Sequence, residues 1–439
     1  MHGRQLILAG LAMASLAGAQ DASRSGKLPA DARPPVAPTP AQAAWREFEL
    51  GLVVPFGLGT FLEREAGSGR ESPALFQPAA CDPWQWARAA TNAGARVLVV
   101  TAKAADGFCL WPSRCTEYTV AASPWQHGRG DVLHEAALAC QAHGLGLGLR
   151  FSLIDRHEPA ATRPPAYRRF VLRQLEELLT DYGLLAELWL DGVEEAGKAG
   201  VDLAAILQLA RHLQPRMAVL STQGPDGRLV SAQFSPTGDH AGSVRPAPPA
   251  GWWSAPGSAP GPVWQPLVRV ASLRPSAYYR ARENDRPASL NQLRELALRT
   301  LGRNSLLRLV APADPTGQLP EADARRLAEF GAAWRRQFQR TLAMASGAAR
   351  ELVLELDPPR EVGALAVRED IRRGERVRRF VLETRDPDET GWRVVADGRF
   401  PGHHWITEFQ PRRLAGVRLR ILDAAEPLSP LTLSVHPGP

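Results

Sequence analysis

Lysine is nearly missing from this sequence. Among 439 residues, only Lys27, Lys103 and Lys198 carry an ammonium group, so arginine supplies almost all of the positive charge. The formal net charge is a mild +6, and the arginines are scattered instead of being gathered into one long basic run. We interpret them as a solvated surface, and their distribution argues against a nucleic-acid-binding patch.

Long apolar runs are also missing near the N-terminus. The apolar stretch at residues 6–16 is too short to span a bilayer. It follows a short polar start and precedes Ala17-Gly18-Ala19, which fits the A-x-A cleavage site of a secretory signal. No Cys follows this site directly, which argues against a lipoprotein anchor. We therefore predict a signal peptide at residues 1–19, export to the periplasm or the extracellular space, and no membrane association after cleavage.

Residues 20–44 are rich in Ala, Pro and Ser and include Pro34-Pro35 and Pro38-Thr39-Pro40. This composition predicts a linker that separates the export signal from the folded part of the chain. The charge content is ordinary and 44% of all residues are hydrophobic, which suits one large domain followed by a smaller one.

Cysteine is scarce as well. The chain has four cysteines, Cys81, Cys109, Cys115 and Cys140, and no C-x-x-C pair. A zinc site or a thioredoxin-type redox site is therefore not indicated. Four cysteines in a chain of this length do not make a disulfide framework. Two interpretations stay open: isolated small apolar side chains, or a disulfide between Cys109 and Cys115, which an exported compartment permits.

Strand-like and helix-like segments alternate between residues 47 and 338. Asp82-Pro83 and Gly130-Asp131 each introduce a helix, because Asp is a favoured N-cap and Pro suits the first turn. The predicted strands are residues 50–54, 96–102, 144–152, 186–191, 217–221 and 305–310. This alternation predicts an α/β fold, an irregular (β/α)8 barrel of the TIM type, over residues 45–341. The Pro-, Gly- and Ser-rich residues 224–262 interrupt the pattern.

The pattern changes near Thr341. Residues 351–356 alternate with period two, and short strand-like segments follow at residues 379–383, 392–395 and 417–421. Short strands separated by turn signals predict an antiparallel β-sandwich over residues 342–439.

Two separate segments carry a resemblance to a known family. Residues 99–120 read V-V-T-A-K-A-A-D-G-F-C-L-W-P-S-R-C-T-E-Y-T-V, and residues 367–383 read V-R-E-D-I-R-R-G-E-R-V-R-R-F-V-L-E. They resemble T-A-K-H-H-D-G-F-C-L-W-P-S-K-Y-T and E-D-I-x-x-G-Q-R-V of the α-L-fucosidases of glycoside hydrolase family 29. The resemblance covers nearly everything after the linker. It implies a retaining exo-glycosidase of fucosylated glycans that needs no metal or other cofactor.

Asp191 is the candidate nucleophile. It ends the apolar segment E-L-W-L-D-G at residues 187–192, which is similar to the family's E-L-W-F-D-G, whose Asp is the nucleophile. The residues themselves agree, since catalytic groups of barrel enzymes follow the strands. The alternative is an Asp that caps the next helix. The resemblance also implies that Trp189 contacts the substrate.

The second carboxyl group of a retaining glycosidase, about 5–5.5 Å from the first, is missing where the resemblance places it. Residues 219–235 are similar to a segment that contains G-P-D-x-R-W-V-G-N-E-x-G, which puts Gln233 at the acid/base position. Glutamine cannot transfer the proton, and general acid–base help is typically worth about 10²–10⁴-fold in rate. Three nearby acids could replace it: Glu194, Glu195 and Glu283.

A further family segment, W-V-P-A-E-V-D-V-S-I-R-P-G-W-F-Y, is similar to residues 264–279. Trp264 and Arg274 are kept there as implied substrate contacts, whereas the family's Glu and Asp have become Val268 and Val270.

Pocket positions are altered in the same way. The family's histidines correspond to Pro55, Ala104 and Ala105, and its pocket Trp corresponds to Ala66. Glu65 is kept where the family binds a sugar hydroxyl. Each lost buried partner costs roughly 1–3 kcal/mol, so we expect the fucose site, as the family builds it, to bind poorly.

We therefore predict a member of this family with lost or strongly reduced hydrolysis and with carbohydrate as its ligand. The alternatives are a non-catalytic glycan-binding protein, a glycosidase for a different sugar with a new acid, and a carbohydrate-binding C-terminal domain. Candidate contacts for the last are Trp392, His403, His404 and Trp405, unless these side chains pack in a core. The sequence does not indicate the oligomeric state.

Overall fold

The computed structural model describes residues 37–221, 244–245, 263–264 and 266–439. The predicted signal peptide and Gln233 lie outside this part of the chain. The first element is helix α1, Pro40–Arg46, which begins within the predicted linker. Thr39 and Gln42 form a capping box and Pro40 occupies the first turn, so local helix signals override the linker-like composition there.

A parallel sheet curls into part of a barrel, and this confirms the predicted TIM-like fold. In chain order the strands of this domain are β1 Leu50–Val54, β2 Val97–Lys103, β3 Gly146–Ser152, β4 Leu185–Asp191, β5 Ala218–Ser221, β6 Val244–Arg245, β7 Val263–Trp264, β8 Leu267–Ser272 and β9 Ser305–Val310. Seven of them form the sheet, in the order β5-β4-β3-β2-β1-β9-β8, while β6 and β7 pair with each other.

Helices cover the outer face of this sheet. They are α2 Leu58–Phe61, α3 Pro83–Ala93, α4 Val132–His143, α5 Pro164–Asp181, α6 Val193–Lys198, α7 Leu203–Leu213, α8 Leu290–Thr300 and α9 Glu321–Phe338. Asp82 and Asp131 accept hydrogen bonds from backbone N–H groups in the first turns of α3 and α4, as predicted. Gly94 and Gly144 end these two helices in the left-handed conformation that glycine adopts readily.

The strands bury both of their faces. All seven residues of β2 are buried, as expected for a central parallel strand. Alternate side chains such as Leu98 and Val100 pack under the helices, while Val99 joins an inner apolar cluster that fills the barrel. Trp45 of α1 belongs to this inner cluster, so α1 covers the end of the barrel at which the strands begin.

A separate antiparallel sheet of six strands follows. Its strands are β10 Ala343–Gly347, β11 Glu351–Glu369, β12 Val377–Arg385, β13 Arg393–Gly398, β14 Trp405–Ala424 and β15 Leu431–His436, in the order β10-β15-β11-β14-β12-β13. The sheet has its own apolar core. Two predicted short strands, residues 351–356 and 417–421, are parts of the long β11 and β14. Pro358 and Pro359 lie within a shift of the strand register between Glu355 and Arg360, so β11 continues past them.

The candidate glycan contacts of this C-terminal domain have structural roles. Trp405 is buried against Phe380, with the rings edge to face and their centroids 5.0 Å apart. His403 Nε2 and His404 Nδ1 lie 3.3 and 3.1 Å from Glu49 Oε1, at the contact between the C-terminal domain and the barrel. Packing therefore explains these three residues.

Two guanidinium groups contact Trp392. Those of Arg385 and Arg418 are 5.0 and 4.6 Å from the centre of its ring, so the indole already has two cation–π partners.

The four cysteines are free, so the disulfide between Cys109 and Cys115 does not form. Gln174 Nε2 donates to Cys109 Sγ at 3.3 Å, and Cys115 Sγ lies 3.5 Å from Glu177. The interpretation as isolated side chains holds. Among the described helices, none has the length and apolar character needed to cross a membrane.

Candidate functional site

A cavity of about 460 Å³ opens where the first four strands of the barrel end. Its lining includes Pro55 after β1, Ala104 after β2, Ser152 at the end of β3 and Asp191 at the end of β4. The carboxyl ends of parallel strands lie on one face of a barrel, where enzymes of this fold carry their active sites. The nucleophile candidate therefore lies in a cavity at the functional face.

The positions with altered pocket side chains lie around Asp191. Pro55, Ala66, Ala104 and Ala105 all line the cavity, and Glu65 lines it as well. Methyl groups and a pyrrolidine ring have no donor or acceptor atom. These four side chains therefore cannot hold a sugar hydroxyl by a hydrogen bond.

One arginine joins the two carboxylates of the cavity. Arg150 Nε donates to Asp191 Oδ2, and Arg150 Nη2 lies 3.4 Å from Glu65 Oε1. Burial disfavours the charged guanidinium, but Asp191 and Glu65 outweigh it and raise the pKa of Arg150 above its ordinary value. Asp191 Oδ1 is buried and has no hydrogen-bond partner among the described residues. The nucleophile candidate thus has one oxygen in an ion pair and one unpaired.

Sequence reasoning missed Arg150. It lies on β3, which reads G-L-G-L-R-F-S, and pairs in register with Thr101 of β2 and Trp189 of β4. A charged side chain in a strand that is otherwise apolar or glycine needs a partner when it is buried. A single arginine in an otherwise apolar strand was therefore the sequence signal for a buried ion pair at this position.

Lys103 lies in the lining but its charge is already balanced. Its ammonium is 2.9 Å from Asp155 Oδ2 and donates to Gln174 Oε1 at 2.8 Å, with both charged side chains buried. Gly107 has φ +92°, and a Cβ there would lie 2.1 Å from Asp155 Oδ1. Only glycine fits this approach, so Asp155 fixes the loop that follows β2.

Arg156 and His157, which follow β3, hold the loop between α2 and α3. Arg156 Nη1 donates to the carbonyl of Gly67 at 2.7 Å, and His157 Nδ1 lies 2.7 Å from the carbonyl oxygen of Gly69. The imidazole ring stacks on Tyr118 with centroids 3.9 Å apart. Both residues therefore position the wall of the cavity.

Trp189 does not reach the cavity, in contrast to its predicted role. It lies one inward-facing position below Asp191 on β4 and belongs to the inner cluster. Its indole Nε1 donates to Glu187 Oε2 at 2.8 Å, and Glu187 also accepts from Trp45 and Arg308. The resemblance alone implied a substrate contact for Trp189, and the observed contacts place its indole in the interior of the barrel.

Trp264, Arg274 and Val268 are buried and none of them lines the cavity. Arg274 Nε donates to Asp323 Oδ2 at 2.7 Å, and burial raises the pKa of Asp323 to about 6 although Arg274 opposes this. Val268 belongs to the inner apolar cluster. In the described residues Trp264 is buried and Arg274 is engaged in an ion pair, and their predicted substrate contacts stay predictions.

Two of the candidate replacement acids, Glu195 and Glu283, do not line the described cavity. Glu283 accepts from Ser276 N and Oγ at 2.9 and 2.8 Å. Burial raises its pKa, but these bonds and two nearby arginines outweigh burial and lower it. Glu195 is exposed on α6, and the side chain of Glu194 lies outside the described atoms. In the described lining the two carboxylates are Glu65 and Asp191.

Other lining residues were not singled out from the sequence. Arg64 is exposed at the mouth of the cavity, and Tyr278 and Tyr279 supply aromatic wall. The two tyrosines end the segment that resembles the family's P-G-W-F-Y, and this was the available signal. Over the described residues, His, Cys, Asp and Glu form no group of three that could hold a metal ion.

Comparisons with known proteins agree with this geometry. The sequence profile described as Alpha-L-fucosidase matches residues 69–337. A protein of Oryza sativa subsp. japonica is 40% identical over 307 residues, which cover 67% of this chain and 59% of that protein. Alpha-L-fucosidase 1 of Arabidopsis thaliana is 31% identical over 424 residues, which cover 85% of this chain and 82% of the relative.

The fold agrees as well. A crystal structure from Bacteroides ovatus superimposes with a TM-score of 0.80 at 30% identity, over 92% of this chain and 74% of that one. The barrel, the antiparallel domain and the profile match together show that this chain belongs to the alpha-L-fucosidase family.

Proposed function

We propose that this exported protein binds a glycan in the cavity and that its fucoside hydrolysis is absent or strongly reduced. The observation that carries the proposal is the ion pair between Arg150 and Asp191. A retaining glycosidase uses the carboxylate as a nucleophile and moves its charge onto the sugar bond. An arginine that stabilises the free carboxylate favours the ground state over the transition state, and this slows attack.

The size of this effect can be stated. A hydrogen bond between charged groups contributes about 1.5–3 kcal/mol, which corresponds to roughly 10–150-fold in rate if it is lost on the way to the transition state. The missing acid/base lowers the rate by a further factor of about 10²–10⁴. Pro55, Ala104 and Ala105 also offer no side-chain hydrogen bond that would orient the sugar. Together these changes account for a site that binds but does not turn over.

A second candidate function is hydrolysis of a different sugar. Glu65 and Asp191 contact the same guanidinium, which keeps the two carboxylates close to each other. The Glu65 side chain is 70% exposed, so it can exchange protons with solvent. In this case Glu65 is the acid/base and Asp191 the nucleophile.

Hydrolysis of an aryl α-L-fucoside by the purified protein tests the proposal. An aryl leaving group needs little acid assistance, so this substrate detects even weak nucleophilic catalysis. Asp191→Asn removes the nucleophile, and Asp181→Asn, at the exposed end of α5, is the matched control. We expect no turnover above the Asp191→Asn background, even with azide as an added nucleophile.

Turnover that is lost in Asp191→Asn and kept in Asp181→Asn would contradict the reduced-activity proposal. Glu65→Gln then becomes the decisive variant. If the second candidate is correct, this substitution abolishes the activity and azide restores part of it.

A further inference from the structure

The described part of the cavity lining carries a small excess of positive charge. Apart from the compensated Lys103, the charged residues in this part are three arginines and two carboxylates: Arg64, Arg150, Arg156, Glu65 and Asp191. Lys103 adds nothing because its ammonium is paired with buried Asp155 at 2.9 Å. A ligand of negative charge is therefore favoured over a neutral one at the mouth of this cavity.

The free hydrogen-bonding groups are mostly donors. Arg150 uses Nε on Asp191 and Nη2 on Glu65, while its Nη1 has no partner in the described part of the chain. Arg64 is exposed and forms no ion pair there either. A guanidinium has five N–H donors and no acceptor, so a ligand that satisfies these groups must supply acceptor oxygens. A carboxylate does so in the fork geometry that guanidinium groups prefer.

One acceptor in the cavity is also left without a partner. Asp191 Oδ1 is buried and accepts no hydrogen bond from any described residue. A ligand carboxylate cannot satisfy this oxygen, because it has no proton to donate and carries the same charge. A ligand hydroxyl can.

The arginines require acceptor oxygens and Asp191 Oδ1 requires a hydroxyl donor, and together these requirements define one class of ligand. We infer that the cavity binds a sugar acid, a hydroxylated ring with a carboxylate, and that Arg150 and Arg64 select it. The hydroxyl donates to Asp191 Oδ1 and the carboxylate accepts from the two arginines. The inference rests on the proposed glycan-binding function and adds the chemical class of the glycan.

Calorimetric titration with matched sugars tests the inference. D-galacturonate is compared with D-galactose and D-glucuronate with D-glucose, since each pair differs only in a carboxylate against a hydroxymethyl group; L-fucose and galactose 6-sulfate complete the set. We expect a uronate to bind at least about tenfold more tightly than its neutral partner, as charged hydrogen bonds allow. The preference should shrink between about 20 mM and about 500 mM NaCl, because salt screens partly exposed charges.

Variants identify the selecting residues. Arg64→Gln changes an exposed side chain and should fold normally, and Arg150→Gln changes the inner one. Both should reduce the uronate preference severalfold, measured as the ratio of the dissociation constants of a uronate and its neutral partner. Arg88→Gln, on the exposed face of α3, is the control and should leave the preference intact.

The possible outcomes separate this inference from the proposed function. Equal binding of uronates and neutral sugars overturns the sugar-acid inference but leaves a glycan site. A preference for the sulfated sugar over both uronates overturns the carboxylate assignment. A uronate preference that persists in both Arg64→Gln and Arg150→Gln overturns the role of the arginines. No binding of any sugar overturns the inference together with the proposed function.

Discussion

At the scale of single residues, β4 shows how position decides what an ion pair does. Its inward face carries two carboxylates, Glu187 deep in the barrel and Asp191 at the cavity, and each is held by an arginine from another strand. The pair between Glu187 and Arg308 is fully buried, while the pair between Asp191 and Arg150 is partly exposed. The first ion pair stabilises the interior of the barrel, and the second determines the reactivity of Asp191 in the cavity.

This difference predicts unequal costs of removing the two arginines. Arg308→Gln leaves a buried carboxylate without its countercharge and should lower the free energy of unfolding by about 3–5 kcal/mol. Arg150→Gln should cost about 1–2 kcal/mol, because water can reach the carboxylates it leaves. Urea unfolding at pH 7 measures both, and equal losses would contradict the assigned difference in burial.

The candidate site was only partly predictable from the sequence. Asp191 and the altered positions Ala104 and Ala105 were found because unchanged neighbours kept the motif in register. The resemblance implied a substrate contact for Trp189, but a motif match does not indicate how deep in the barrel a side chain lies. Arg150 was missed because residues 144–152 were interpreted only as an apolar strand, although a single buried charge in such a strand needs a partner.

At the scale of elements, helix α1 covers the end of the barrel at which the strands begin. The predicted linker ends at residue 44, inside this helix, because the capping signals at residues 39–42 outweigh the linker-like composition. Its Trp45 is 3% exposed, lies in the inner cluster, and donates to Glu187 Oε1 at 2.7 Å. The helix therefore supplies both apolar volume and a hydrogen-bond donor to the interior of the barrel.

Trp45→Ala should destabilise the protein by about 3–5 kcal/mol, since it opens a cavity and removes a buried donor. Trp84→Ala is the matched control, because Trp84 is 37% exposed on α3. Thermal or urea unfolding of the two variants makes the comparison. A similar small effect in both would show that α1 is not part of the folded unit.

The last residue of β11, Glu369, carries a pH-sensitive carboxyl group. Burial raises the pKa of Glu369 to about 8, although its Oε1 accepts from the N–H groups of Arg376 and Val377. Between about pH 5 and pH 8 the folded protein holds a proton here that the unfolded chain has released. Stability should therefore fall as the pH rises through this window, by at most about 1.4 kcal/mol per pH unit.

Glu369→Gln imitates the protonated form and should remove this contribution, so that the variant gains stability relative to the wild type at pH 8 and little at pH 5. Glu361→Gln, exposed on the same strand, is the control. Urea unfolding at both pH values provides the measurement. A variant that follows the wild type at both would rule out a proton on Glu369.

At the scale of the whole molecule, the two domains meet around buried imidazoles. Burial lowers the pKa of His403 and of His404, in spite of Glu49 beside them. Burial also opposes the charge on Glu49, but both imidazoles and Arg368 outweigh it and lower its pKa well below the ordinary value. Arg46 and Arg368 face the same cluster. One part of the domain contact is thus a network built around the carboxylate of Glu49.

This network predicts a loss of stability in mild acid. Below the ordinary imidazole pKa of 6.5 the unfolded chain binds protons that folded His404 does not bind, so stability should fall as the pH decreases. The contribution of one imidazole is at most about 1.4 kcal/mol per pH unit. His404→Gln should show a smaller difference between pH 7 and pH 5 than the exposed-site control His212→Gln. Identical pH profiles would remove His404 from the explanation.

The contact of Gly107 with Asp155 affects which side chains of this cavity can be substituted during evolution. The loop after β2 is fixed by Gly107, Asp155 and Lys103, and the side chains of Ala104 and Ala105 contribute nothing to that support. Substitutions at these two positions are therefore nearly free of cost to the fold. Reactive side chains can therefore be lost or regained at these two positions during evolution, one substitution at a time. The backbone of the loop stays in place, so a lost catalytic activity could be regained without a change of fold.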